Sequence, residues 1–163
     1  MLIRDTIEAD LPAILEIHNE AVRNSTAIWN TREVDLANRA ALLAERRARN
    51  FAFLTAEIAG HCIGYASFGE FRPHEGYYLT VEHSVYVHRD ARGKGAARAL
   101  MLRLMDAART SGKHLMIGGI EAENRISIAL HEKLGFQETG RLPEVGFKFG
   151  RFLDLVFMQK KLN

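Results

Sequence analysis

The chain has one cysteine, Cys62, which excludes an internal disulfide framework and fits a reducing compartment. Its apolar surroundings in HCIGYASF mark a small core residue rather than a reactive thiol. Charge of one sign is nearly absent. The 22 basic residues meet 20 acidic ones, a formal net charge of +2, too small an excess for non-specific nucleic-acid binding. No apolar run approaches the roughly 18 residues of a membrane span, and MLIRDTIEAD has no signal-peptide core. Familiar chemical signatures are missing too. Gly64 and Gly69 have P-loop spacing, but Glu70 stands where the lysine belongs. No GxGxxG opens a helix after the first strand, and HExxH, paired cysteines and GxSxG are absent. The expectation is a cytoplasmic protein with no metal, no nucleic-acid partner and no membrane anchor.

What is present reads as one domain over residues 1–163, long enough to bury a proper core. LIR is a short strand. A helix follows from Asp10 and Pro12, with Leu11, Ile14, Leu15, His18 and Val22 on one face. NSTAIWN is a polar loop with the only tryptophan, Trp29. Asp35 caps a second helix, with Leu36, Ala40 and Leu43 expected inward and Arg46, Arg47 and Arg49 outward as a solvated end. FAFLTAEI and HCIGYASFGEF read as strands across a Gly60 turn, and YLTVEHSVYV as a long strand after the loop FRPHEG. Along that long strand Val81, His83, Val85 and Val87 face one side, Thr80, Glu82, Ser84 and Tyr86 the other. A helix from Ala96 stops at Gly112; HLMIGGIE is a strand; a further helix spans Asn124 to Leu134, before Gly135. GFQETGRL and FLDLVFMQKKL complete the pattern, an α/β chain with a mixed sheet.

RDARGKGAARAL, at 89–100, joins a strand to a helix. A helix's first turn leaves backbone N–H groups unpaired at the positive end of its dipole. Gly93 and Gly95 carry no Cβ, so a diphosphate can approach those amides, with Arg92, Lys94 and Arg98 at the rim. A plain connecting turn is the competing reading.

Arg92-Gly93-Lys94-Gly95-Ala96-Ala97 resembles the (Q/R)xxGx(G/A) signature of the GCN5-related N-acetyltransferases, whose loop amides bind the pyrophosphate of acetyl-CoA. Asn124, Ser127 and His131, followed by LGF at 134–136, resemble that family's second element. NSTAIWN, GYASFGEFRP, TVEHSVYV and VGFKFGRFLDLVFMQKKL extend the likeness over nearly the whole chain, toward the branch that acetylates phosphinothricin, methionine sulfone and methionine sulfoximine. The resemblance implies a mixed, mostly antiparallel twisted sheet flanked by helices, and acetyl-CoA as co-substrate. It implies acetylation of the α-amino group of a small L-amino acid or analogue, and a homodimer. A protein or peptide N-acetyltransferase, or a non-catalytic acetyl-CoA sensor, are the alternatives.

Direct transfer needs a neutral amine, so a base must take a proton from the ammonium. Glu82, a mid-strand carboxylate among apolar residues, is the candidate; an ion pair with His83 or an arginine is its alternative. By the resemblance, Val85, Tyr86 and Val87 lie along the splayed cofactor strand, backbone groups of the two valines facing the pantetheine and the developing oxyanion. Arg92, Gly93, Lys94, Gly95, Ala96, Ala97 and Arg98 hold the diphosphate, Asn124 the pantetheine arm, and Lys133 the CoA phosphates. His131 stands where many members carry a tyrosine acid, so it is the candidate donor to the CoA thiolate, with Tyr86 second. Arg72 offers a fork for a substrate carboxylate, with Pro73 and His74 shaping its loop and His83 and Ser84 beside the base. Trp29 and Phe71 are expected to wall the side-chain pocket.

Overall fold

The computed structural model describes residues 1–163. Seven strands form one sheet: β1 (Leu2–Asp5), β2 (Phe53–Ile58), β3 (His61–Glu70), β4 (Thr80–Val87), β5 (Leu115–Glu121), β6 (Gln137–Lys148) and β7 (Arg151–Lys161). Their spatial order is β1-β2-β3-β4-β5-β7-β6, so β7 inserts between β5 and β6. Only β4 and β5 run parallel; every other neighbouring pair is antiparallel. Four helices flank the sheet: α1 (Leu11–Asn24), α2 (Leu36–Ala48), α3 (Ala96–Thr110) and α4 (Arg125–Lys133). The mixed, mostly antiparallel sheet expected from the sequence is the one observed.

Alternation along the strands divides the core between the two faces. Leu54, Ala66, Phe68 and Val81 pack with Leu100, Met101 and Leu104 of α3. Phe53 and Tyr65 face the other way, against Leu11, Ile14 and Ile17 of α1 and Leu43 of α2. Asp35 caps α2, its carboxylate accepting from the Asn38 N–H at 2.8 Å. Asn124 likewise caps α4 through the Ser127 N–H at 3.1 Å.

Two sequence expectations need correction. In α2, Leu36 is 46% exposed and Ala40 is exposed, while Arg39 and Leu43 turn inward. The helix is rotated so that an arginine face meets the sheet; His18 and Asn38 accept the Arg39 donors. The strand read as GFQETGRL continues to Lys148. Its pairing with β7 is irregular between Leu142 and Gly146, which absorbs Pro143 on an edge strand where no ladder bond is demanded of it.

Candidate active site

β4 and β5 are hydrogen-bonded only from Thr80↔Leu115 to Glu82↔Ile117. Beyond that point β4 continues to Val87 and β5 to Glu121 without pairing, so the two strands splay. At the fork lies His83, whose Nε2 is 3.0 Å from Nε2 of His131 on α4. Nδ1 of His131 lies 2.7 Å from the Ser127 carbonyl, so that nitrogen carries the proton. Nε2 of His131 then accepts, Nε2 of His83 donates, and Nδ1 of His83 is left as a buried acceptor without a partner. Burial depresses both imidazoles, that of His83 to about 3, with His131 adding to the effect. The neutral pair fills the space beside Gly118, where a Cβ would stand 2.6 Å from His83 Nε2. Gly118 is therefore a packing requirement of this fork.

The splay opens a cavity of about 320 Å3 lined by Glu82, Ser84, Tyr86, Gly119, Glu121 and Asn124, among others. Glu82 projects from the α1/α2 face, and its Oε1 lies 3.3 Å from where a Gly119 Cβ would be. It makes no salt bridge, so the alternative reading of Glu82 as a partnered ion is not realised. Burial pushes its carboxyl above the usual range, with the Arg72 charge opposing the shift. Burial also raises the Tyr86 phenol, which stays protonated at neutral pH.

A second cavity of about 290 Å3 shares Ala27, Val85, Tyr86, Asn124 and Ser127 with the first, and adds Val87, Arg92, Ala97 and Ile126. It leads to the glycine loop. Gly93 and Gly95 adopt φ of +77° and +82°, the left-handed region that glycine enters without strain. Gly95 occupies the cap position of α3 and no side chain caps the helix, so the amides at the start of α3 are left without a side-chain partner. Arg92 lies within 3.5 Å of Glu20, Lys94 donates to the Asp90 carbonyl at 3.1 Å, and Arg98 is exposed.

Several candidates stand apart from these cavities. Arg72, Pro73 and His74 are exposed; the Arg72 guanidinium donates to its neighbour's carbonyl, Phe71 O, and stacks 4.1 Å over the Phe71 ring. Lys133 is exposed and lines neither cavity. Trp29 donates to Thr26 O and packs on Gly146 rather than walling the pocket, and Phe71 packs edge-on against Tyr77 and Phe157. His131, a proposed proton donor, has both ring nitrogens engaged by Ser127 and His83.

Three residues at the site escaped the sequence reading. Glu121 is 6% exposed at the end of β5, accepting from Thr26 Oγ1 and the Glu123 N–H. Arg46 enters the first cavity from α2. Lys148 is 2% exposed, and its ammonium donates to the carbonyls of Val22, Ser25 and Ile28 at 2.7, 2.7 and 2.5 Å. It pins the loop whose Thr26 and Ala27 form the cavity walls.

A splayed parallel pair with a glycine loop at the mouth of the opening is the architecture of an acyl-CoA-dependent acyltransferase. The sequence profile described as the acetyltransferase (GNAT) family matches residues 13–136, and the chain belongs to that family. It is 52% identical to an L-methionine sulfoximine/L-methionine sulfone acetyltransferase of Pseudomonas paraeruginosa, over 99% of this chain and 94% of that protein. Among solved structures, a ribosomal-protein-alanine N-acetyltransferase from Brucella melitensis superposes with a TM-score of 0.97 at 53% identity, covering 99% of each chain. A phosphinothricin acetyltransferase from Sinorhizobium meliloti in complex with acetyl-CoA superposes with a TM-score of 0.97 at 36% identity, covering 99% of this chain and 88% of that one.

Proposed function

We propose that this chain transfers the acetyl group of acetyl-CoA to the α-amino group of a small L-amino acid, with methionine sulfone and methionine sulfoximine as acceptors and phosphinothricin as a further analogue to test. The observation that carries the reading is Glu82: a half-buried carboxylate without an ion-pair partner, in the opening between β4 and β5 that leads to the glycine loop. Acetyl-CoA lies along the splayed edge of β4, with the amides at the start of α3 and Arg92, Lys94 and Arg98 around its diphosphate. The Asn124 amide, whose oxygen is used in capping, has its nitrogen available to the pantetheine arm.

In the reaction Glu82 accepts a proton from the substrate ammonium, directly or through a water. The freed amine attacks the thioester carbonyl carbon, and unpaired β4 amides stabilise the oxyanion. The C–S bond breaks, the nitrogen gives up its second proton to leave the neutral amide, and the thiolate takes a proton. Tyr86 supports that last role better than His131, since its protonated phenol borders both cavities whereas the His131 nitrogens are engaged. Arg72 favours ionised Glu82 across a distance. His83 and Ser84 flank the base.

The chain works as a single domain and as a cytoplasmic homodimer. The free, half-buried Cys62, with its thiol pushed up to about 11 by burial, supports a reducing setting. The exposed Phe147, Phe149 and Phe152 on the β6–β7 hairpin support pairing of two copies. A second reading, acetylation of a protein's amino terminus, is favoured by the name of the Brucella melitensis structure alone. A CoA-release screen over the free amino acids, methionine sulfone, methionine sulfoximine, phosphinothricin and alanine-initiated peptides separates the two. Turnover confined to peptides refutes the amino-acid reading.

A further inference from the structure

We propose that the end of β6, through Gly146 and Lys148, fixes the wall formed by Ala27 and so limits the length of the acyl chain transferred; this rests on the transferase reading above. With Glu82 in the first cavity and the thioester arriving through the second, the acyl group is handed over where the two meet. The residues common to both are Ala27, Val85, Tyr86, Asn124 and Ser127. Val85 and Tyr86 are held in β4, and Asn124 and Ser127 at the start of α4. Ala27 alone stands on an irregular stretch, between α1 and α2, and it is exposed. No ladder or helix sets its place, so its neighbours in the chain do.

Those neighbours are held mainly from one strand. The Lys148 ammonium donates to the carbonyls of Val22, Ser25 and Ile28, which bracket Ala27 on both sides. An ammonium has three N–H donors, and all three are used. Val22 and Ser25 lie at the C-terminal end of α1, where unpaired carbonyls and the negative end of the dipole stabilise a cation without a carboxylate. Gly146 supplies a second contact: a Cβ there would overlap the Trp29 ring, so the indole fills the space left by the missing side chain. Gly146 and Lys148 are two apart in β6 and share a face, with Phe147 turned away to solvent. From elsewhere come one bond of 3.2 Å, Thr26 Oγ1 to Glu121, and the packing of Ile28 with Ala21, Val22 and Tyr86. Removing the Lys148 donors frees the carbonyls on either side of Ala27, and the wall retreats from the splayed edge of β4.

The test measures CoA release from acetyl-, propionyl- and butyryl-CoA with methionine sulfone as acceptor. For the unaltered protein, kcat/KM should favour acetyl over butyryl. In K148M that preference should fall by about 10-fold or more, the ratio that one methylene commands in a shaped pocket. G146A keeps the ammonium but displaces Trp29 from β6, and should relax the preference in the same direction. A ratio of two thioesters on one protein cancels any loss of folded enzyme, so destabilisation alone does not move it. Thermal unfolding checks that each variant folds, and G146A decides alone where K148M does not. An acetyl preference undiminished in the folded variants, or an equal loss of all three activities, overturns the role of β6. So does an unaltered protein that transfers butyryl as readily as acetyl. Absence of CoA release from the unaltered protein with all three thioesters overturns the transferase reading, and this limit with it.

Discussion

Acidification should destabilise this fold through His83 well before its carboxylates protonate. The unfolded chain protonates a histidine near pH 6.5, whereas burial holds His83 neutral in the folded protein down to about 3. Between those values the unfolded state binds the extra proton. Stability is therefore complete above about 6.5 and falls with decreasing pH at about 1.4 kcal/mol per pH unit. From pH 8 to pH 5 the loss from His83 is about 2 kcal/mol. His18, buried and depressed to about 4 with Arg39 beside it, adds a similar fall. Urea unfolding at half-unit pH steps measures the sum. H83Q keeps a donor for His131 Nε2 and removes the His83 titration, so it should lose the His83 share of the wild-type slope and keep the shares of His18 and His131, both also held neutral by burial. A wild-type stability that is flat from pH 8 to pH 5, or an H83Q slope equal to that of the wild type, would falsify the neutral, proton-poor pair at the strand fork.

E82Q should lower kcat by roughly 10²- to 10⁴-fold, the range for losing a general base, while the acetyl-CoA dissociation constant, read by calorimetry, stays near that of the wild type; undiminished turnover removes Glu82 from the role. The acid limb of the kcat/KM profile should lie above the ordinary carboxylate range, because burial raises the Glu82 carboxyl. R72A removes the one charge that opposes that shift, so the limb should move to still higher pH, and a limb that stays or moves down refutes the coupling. K148M should destabilise the protein by about 3–5 kcal/mol in urea unfolding, since three carbonyls, two of them in buried bonds, lose their common donor; a change below about 1 kcal/mol would show that water replaces the ammonium.

The glycine-loop side of the candidate site stands out in the sequence because its features are local. Gly93, Gly95 and the flanking strand and helix are contiguous, and the backbone angles the glycines adopt are the ones their lack of a Cβ suggests. Glu82 stands out for a different reason: a carboxylate in mid-strand interrupts an apolar pattern. The rest of the cavity around it does not, because its lining comes from separate elements. Arg39, Leu43 and Arg46 are at i, i+4 and i+7, the spacing of one helical face, yet hydropathy assigns two of the three to solvent. Their inward turn becomes intelligible only with the partners present: His18 for Arg39, and the Gly69 hollow for Arg46. Lys148 was hidden in the same way, read as a basic flank of a strand when its ammonium is among the most buried groups in the protein.

The strand fork joins these two halves. Its visible trace is the pair Gly118-Gly119 in an otherwise apolar strand, and each glycine makes room for a different side chain. Gly118 admits His83 on one face of the sheet; Gly119 leaves clearance for the Glu82 carboxylate on the other. Consecutive residues project to opposite faces, so the two glycines of β5 match the consecutive Glu82 and His83 of β4. Pairing stops at the residue where both demands begin, since Glu82↔Ile117 is the last hydrogen-bonded register. The opening that exposes β4 and the hollow that receives the Glu82 carboxylate thus follow from one dipeptide facing another. Adding a Cβ at Gly118 should accordingly disturb the histidine pair and cost about 1–3 kcal/mol, the usual penalty of overpacking a core. Adding one at Gly119, with 3.3 Å to the Glu82 carboxylate, should act on Glu82 more than on the fold. G118A should therefore appear first in urea unfolding and G119A first in the pH profile of kcat/KM; the reverse order would break the link between the glycine pair and the two faces of the fork.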